Sequence, residues 1–120
     1  MGVTVAEMRA LALALPEAVE IETWGHPTFR VRNKMFASCA SDDTPEPTAT
    51  FKATLDEQAE LLAEDPGVYG VPAYVGHAGW VQVRLEAIAS DVLREHLMDA
   101  WRRTAPKRVV AAFDATLDDA

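Results

Sequence analysis

The sequence predicts an α+β domain, in which a two-layer arrangement packs an antiparallel sheet against N- and C-terminal helices. Apolar residues recur at helical spacing near both ends of the chain, and four or five segments between them alternate apolar and polar residues. Turn-forming Gly, Pro and Asn residues separate those segments. The 120 residues are 49% hydrophobic and 25% charged, which is typical of globular chains. We therefore expect residues 1–120 to form a single two-layer domain.

The first predicted helix spans residues 4–15. Thr4 and Glu7 have the spacing of a capping box, in which each side chain accepts a hydrogen bond from the other residue's backbone N–H. The apolar stripe that follows consists of Met8, Leu11, Ala12 and Leu15. Pro16 lacks a backbone N–H and ends the helix.

A run of strands and turns is predicted next. Residues 17–24 form a strand, residues 25–27 a turn, and residues 28–32 a second strand. Asn33-Lys34 is expected to reverse the chain into a third strand over residues 35–40. In the second strand, Phe29 and Val31 point to one face, and Thr28, Arg30 and Arg32 to the other.

The second half of the chain continues the pattern. The predicted elements are an acidic loop at 41–47, a strand at 48–53, a helix at 54–64, an irregular connector at 68–79, a strand at 80–85, and helices beginning at Ser90 or Asp91 and at Pro106. The inward residues of the two strands are Ala49, Phe51, Ala53, Val81, Val83 and Leu85. The outward residues are Thr48, Thr50, Lys52, Trp80, Gln82 and Arg84.

With helices on one face of the sheet, the other face can be open to solvent. We expect that face to carry a candidate nucleic-acid site of four basic residues and one aromatic residue: Arg30, Arg32, Lys52, Arg84 and Trp80. The cations would contact phosphate and Trp80 would stack on bases. The alternative is a solvated outer face, where cationic side chains prevent edge-to-edge aggregation. Both interpretations stand at the level of sequence.

The charge of the chain restricts its partners. A formal net charge of −8 and a pI near 4.7 oppose non-specific attraction to nucleic acid and to anionic membranes. No secretory signal is recognisable, and Pro72 with several glycines breaks the longest uncharged run, 68–83. We expect a cytoplasmic protein with no membrane partner.

No residue pattern indicates catalysis. Cys39 is the single cysteine, so an internal disulfide and a thiolate zinc cage are excluded. His26, His77 and His96 lack the spacing of metal ligands, and no nucleophile–base pair is recognisable. We expect a non-enzymatic binding protein without cofactor or metal.

An alternative binding site involves the Gly-, Pro- and aromatic-rich segment 68–80. Together with Trp24, this segment could form a docking pocket for a small ligand or a protein, with no nucleic-acid role. A segment that lies flat, without a concavity, would contradict this hypothesis.

Four stretches resemble a known family, the MmcQ/YjbR family: residues 15–20 (LPEAVE), 24–31 (WGHPTFRV), 34–37 (KMFA) and 79–85 (GWVQVRL). Trp24 stands where the family usually has Phe, and Asn33 where it usually has Gly. The resemblance implies a frataxin-like (CyaY-like) fold and a DNA-binding role, and it implies no catalytic residues.

Overall fold

The computed structural model describes residues 2–41 and 44–118. Its elements are α1 (Val5–Leu13), β1 (Ala18–Thr23), β2 (His26–Val31), β3 (Lys34–Cys39), β4 (Thr48–Phe51), α2 (Leu55–Glu64), β5 (Tyr69–Gly70), β6 (Val81–Arg84), α3 (Ser90–Thr104) and α4 (Lys107–Asp118). The six strands form one antiparallel sheet in the order β1-β2-β3-β4-β6-β5. The predicted α+β class is confirmed. Residues 42 and 43 of the predicted acidic loop lie outside the described residues.

Side-chain caps set the starts of two helices. The Thr4 hydroxyl accepts a hydrogen bond from the Glu7 N–H at 3.0 Å, and the Glu7 carboxylate accepts one from the Thr4 N–H at 3.1 Å. At α2, the Thr54 hydroxyl accepts from the Glu57 N–H at 3.1 Å. Both predicted helix starts are therefore confirmed, since these caps satisfy N–H groups that the first turn leaves unpaired.

The β1–β2 hairpin turns on two residues. Thr23 pairs with His26, which leaves Trp24 and Gly25 as the central residues, with φ of 52° and 81°. Positive φ at both central positions is the mark of a type I′ turn, whose twist matches that of the flanking strands. The turn therefore lies one residue before the predicted segment 25–27.

The β2–β3 hairpin has the same construction. Val31 pairs with Lys34, and the central residues Arg32 and Asn33 have φ of 49° and 69°. The predicted centre at Asn33-Lys34 is wrong by one residue. Asn33 tolerates the left-handed conformation in the second central position, so Lys34 is free to open β3.

The core lies on one face of the sheet, under α1 and α3. Its largest fully buried side chains from the strands are Phe29, Val31, Phe36, Phe51, Val81 and Val83. Trp101 of α3 is also fully buried, and its Nε1 donates to the Pro16 carbonyl oxygen at 2.9 Å. Phe113 of α4 packs edge-on against Trp101, with ring centroids 5.2 Å apart. None of the described helices is long and apolar enough to cross a membrane.

The opposite face of the sheet, here called the open face, has a polar centre. The strand register aligns Thr28, Ser38, Thr50 and Gln82 side by side across β2, β3, β4 and β6, and we call these residues the central row. In the neighbouring row, Arg30 pairs with Met35. At the β1 edge, Val19 and Ile21 are 49% and 40% exposed.

Candidate ligand-binding site

A cleft lies on the open face, where residues 71–80, here called the covering loop, cross above the sheet. A cavity of about 360 Å³ is bounded by the central row, by Trp24 and Trp80, and by Pro72 to Val75 of the covering loop. Two further cavities share Trp24 as a wall. One of about 500 Å³ is lined by Trp24, Met35, Tyr74 and Val75, and one of about 410 Å³ is lined mainly by hydroxyl-bearing residues of the 38–50 region. These volumes are within the range of small-molecule sites.

Two aromatic residues on the walls of this cleft are almost fully exposed. Trp24 is 89% and Tyr74 is 93% exposed, and both line the 500 Å³ cavity. Both also adopt the left-handed backbone region, with φ of 52° and 66°. That conformation costs roughly 1–2 kcal/mol for a residue other than glycine. Because neither side chain is buried, packing in this structure offsets little of the cost.

The covering loop is fixed to α2 by one side chain. Gln58 Nε2 donates to the carbonyl oxygens of Gly76 and Trp80, at 2.8 and 2.7 Å. Gly79 has a φ of 98°, and a Cβ there would lie 2.7 Å from the Leu55 nitrogen. The loop can therefore pass this close to α2 only with glycine at position 79.

The floor of the cleft offers neutral polar groups. Within residues 2–41 and 44–118, the side chains of His26, Ser38, Thr50 and Gln82 have no hydrogen-bond partner, although all four are half-buried. Thr28 differs, since its hydroxyl donates to the Ile21 carbonyl oxygen at 2.6 Å. Hydroxyl, amide and imidazole groups can donate and accept, so the floor can bind groups of either kind.

Two of the predicted basic residues, Arg30 and Lys52, lie on the open face beside the cleft. Arg30 is half-buried, and its Nε and Nη2 are 3.4 Å from the hydroxyl oxygens of Thr28 and Thr23. Lys52 alternates with the buried residues Phe51 and Ala53. In the part of the chain that the structure describes, neither cation has a carboxylate within 4.0 Å.

Arg32 is not on the open face, so its predicted placement is wrong. Because the turn lies one residue earlier than predicted, Arg32 leaves the strand and forms a two-pronged ion pair with Glu17. The hydrogen bond between them lowers the pKa of Glu17 and raises that of Arg32. Arg32 then faces Arg108 and Phe113 beside α4, away from the cleft.

Arg84 lies at the far end of β6 and is partly neutralised. Its Nη2 is 3.6 Å from a Glu46 carboxylate oxygen, and its Nη1 is 3.4 Å from the Gly67 carbonyl oxygen. The register pairs it with Thr48, two residues from the central row. The four predicted cations thus do not form one continuous basic surface.

Trp80 is not the exposed stacking platform that the alternation predicts. It points to the open face, but at the end of the covering loop it is only 8% exposed and forms a wall of the cleft. The alternation of residues along a strand predicts the face to which a side chain points. It does not predict whether a loop covers that face, because such a loop comes from another part of the chain.

The sequence did not single out Met35, Ser38 or Gln58, although all three shape the cleft. Met35 and Ser38 are on β3 with the buried pair Phe36 and Ala37 between them, because the β2–β3 register shifts there. This bulge places both on the open face, where strict alternation over 35–40 would separate them. Gln58 has no local signal at all.

The model of a known protein family matches most of this chain. The YjbR family model matches residues 13–103, well over half of the chain. The chain belongs to the YjbR family. The resemblance predicted from the sequence is confirmed, and all the residues that bound the cleft are inside the matched part of this YjbR chain.

One solved structure supports the YjbR fold independently. The crystal structure of Deinococcus radiodurans protein DR2400, described with family-model domain DUF419, matches with a TM-score of 0.72. The match covers 82% of this chain and 76% of that chain at 21% sequence identity, which shows a common fold and nothing finer. Comparison with curated proteins gave no match.

Proposed function

We propose that this YjbR protein is a non-enzymatic binding protein that holds a small ligand in the cleft on the open face. An apolar part of the ligand lies between Trp24 and Tyr74 above Met35, and a polar part contacts the central row. The observation that carries this proposal is the pair of exposed aromatic residues, both at positive φ, on the walls of the same cavity.

The energetics favour a ligand over a purely structural role. A ligand that covers about 100 Å² of the two rings gains about 2.5 kcal/mol of apolar burial. That gain is comparable to the roughly 2–4 kcal/mol that the two left-handed aromatic residues cost together. Strained residues of this kind cluster at ligand-binding sites, where the surrounding structure holds them.

The polar floor restricts the ligand further. Among the described residues that line the three adjoining cavities, none is Asp, Glu, Lys or Arg. The central row therefore recognises its ligand through neutral hydrogen bonds, from the hydroxyls of Ser38 and Thr50 and the amide of Gln82. A flat compound with both donors and acceptors fits this arrangement.

A fragment screen tests the proposal. Flat aromatic fragments are added to ¹⁵N-labelled protein, and shifted amide resonances are mapped onto the structure. We expect the shifts to centre on Trp24, Met35 and Tyr74. Tyr74→Asn, which keeps a residue tolerant of positive φ, weakens the hits, whereas Leu117→Asn removes a 45% exposed side chain on α4 and leaves them unchanged. Hits that map elsewhere, or that tolerate Tyr74→Asn, contradict the cleft.

Nucleic-acid binding is the second candidate function. It is favoured by Arg30 and Lys52, which share the open face and lack carboxylate partners among the described residues. Titration of labelled single- and double-stranded DNA at low salt tests it, with Arg30→Glu and Lys52→Glu as variants. No binding tighter than about 100 µM, the weak end of non-specific affinities, ends this hypothesis. The frataxin-like topology implied by the family resemblance stays a prediction on which neither function depends.

A further inference from the structure

Arg30 is the cation placed best to meet a ligand in the cleft. It stands on β2 in the row next to the central row, between Val19 of β1 and the cleft residue Met35 of β3, and its Nε lies 3.4 Å from the hydroxyl oxygen of Thr28. Thr28 itself belongs to the central row that bounds the cleft. The guanidinium group is thus at the cleft margin, directly beside the neutral floor.

The donors of Arg30 are poorly used within the described residues. Five arginines have a carboxylate oxygen within 4.0 Å: Arg9, Arg32, Arg84, Arg102 and Arg103. Arg30 instead has two contacts of 3.4 Å with threonine hydroxyls, which are long for hydrogen bonds, and a guanidinium has five N–H donors. A carboxylate accepts such donors in pairs, with shorter and stronger bonds than a hydroxyl makes.

We propose that the ligand is a small aromatic carboxylate, with its ring between Trp24 and Tyr74 and its carboxylate on Arg30. This inference rests on the proposed function, since it assigns a ligand class to the same cleft. Arg30 is then the residue that determines specificity for an acid over its neutral analogue.

A single negative charge fits this site better than several. Of the predicted cations that would extend the site to a polyanion, Arg32 and Arg84 are paired with Glu17 and Glu46, which leaves Lys52 beside Arg30. The net charge of −8 repels a multiply charged ligand more strongly than a singly charged one. The proposal therefore differs from the nucleic-acid hypothesis in the valence of the ligand.

A matched pair of probes, 2-naphthoate and its uncharged analogue 2-naphthamide, tests the role of Arg30. Dissociation constants are measured by NMR titration of the 120-residue chain at low salt. We expect 2-naphthoate to bind about tenfold more tightly, as a hydrogen bond to a charged group gives. Arg30→Gln abolishes this preference and leaves the affinity for 2-naphthamide within twofold. Arg30→Lys retains part of the preference for 2-naphthoate. The control Lys34→Gln changes the net charge equally at an exposed site and retains the whole preference.

Each other outcome overturns the inference. Equal affinity for the two probes shows that the site does not recognise the carboxylate, although the cleft still binds a small ligand. An equal loss of preference in Arg30→Gln and Lys34→Gln shows a general effect of charge. If neither probe binds at millimolar concentration the aromatic-acid class is wrong, and the cleft itself is rejected only when the fragment screen also fails.

Discussion

Replacement of Trp24 by Asn separates the stability of the fold from binding in the cleft. Trp24 is the first central residue of a type I′ turn and is followed by Gly25, and Asn-Gly is the preferred pair for that turn. The substitution removes part of a backbone cost of roughly 1–2 kcal/mol. Because Trp24 is 89% exposed, the change forfeits only about 25 Å² of burial, or about 0.6 kcal/mol.

We therefore expect Trp24→Asn to leave the free energy of unfolding unchanged or to raise it by up to about 0.5 kcal/mol. Loss of an aromatic wall is expected to weaken cleft ligands by about tenfold or more. Urea denaturation followed by circular dichroism gives the first quantity, and the buried Trp101 serves as a second reporter of unfolding. A destabilisation above about 1 kcal/mol would refute the claim that Trp24 is held in place for binding, since a structural tryptophan typically costs 3–5 kcal/mol on truncation.

Three further predictions follow from contacts in the structure. Gln58→Ala removes both hydrogen bonds to the covering loop, so we expect faster amide exchange in residues 71–80 and several-fold weaker binding of cleft ligands. The control Glu60→Ala, at an exposed position on the same helix, has neither effect. Burial lowers the pKa of His96 from its ordinary 6.5, against the opposing effect of nearby carboxylates. The free energy of unfolding therefore falls as the pH drops from about 6.5 through the lower pKa of the folded state. Urea denaturation at several pH values should show a shallower fall for His96→Phe. Arg32→Gln leaves the affinity for 2-naphthoate unchanged, because its ion pair with Glu17 lies away from the cleft; a weaker affinity would place Arg32 back at the site.

Local patterns in the sequence were sufficient for the elements with a regular period. The alternation of β4 and β6 correctly gives Phe51 and Val83 to the core, because successive strand residues point to opposite faces. The Thr4 and Thr54 caps locate two helix starts for the same local reason. β5 escaped prediction because its two residues, Tyr69 and Gly70, are too few to show a period.

The cleft could not be predicted from local sequence patterns, because residues far apart in the sequence form it. Trp24 and Tyr74 meet at one cavity although 50 positions separate them in the sequence. The sign of φ at Arg32, which moved that side chain off the open face, follows from the pairing of Val31 with Lys34 and from no property of arginine. The hypothesis of a docking pocket between residues 68–80 and Trp24 stays a prediction, although residues 72–75 and Trp80 do bound a cavity with Trp24. The floor of that cavity became visible only with the strand register.

The two tight hairpins also bear on the order in which the domain assembles. β1, β2 and β3 are joined by two-residue turns, so their pairings close very short loops and lose little chain entropy. The pairing of β6 with β4 must wait for the intervening segment with α2 to be placed. Local pairings of this kind form early in folding, and we expect the three-stranded meander to be the first structured part of the chain. The cleft then forms last, when Gln58 makes its hydrogen bonds to the covering loop. The loop can therefore move away from the sheet while the rest of the domain stays folded.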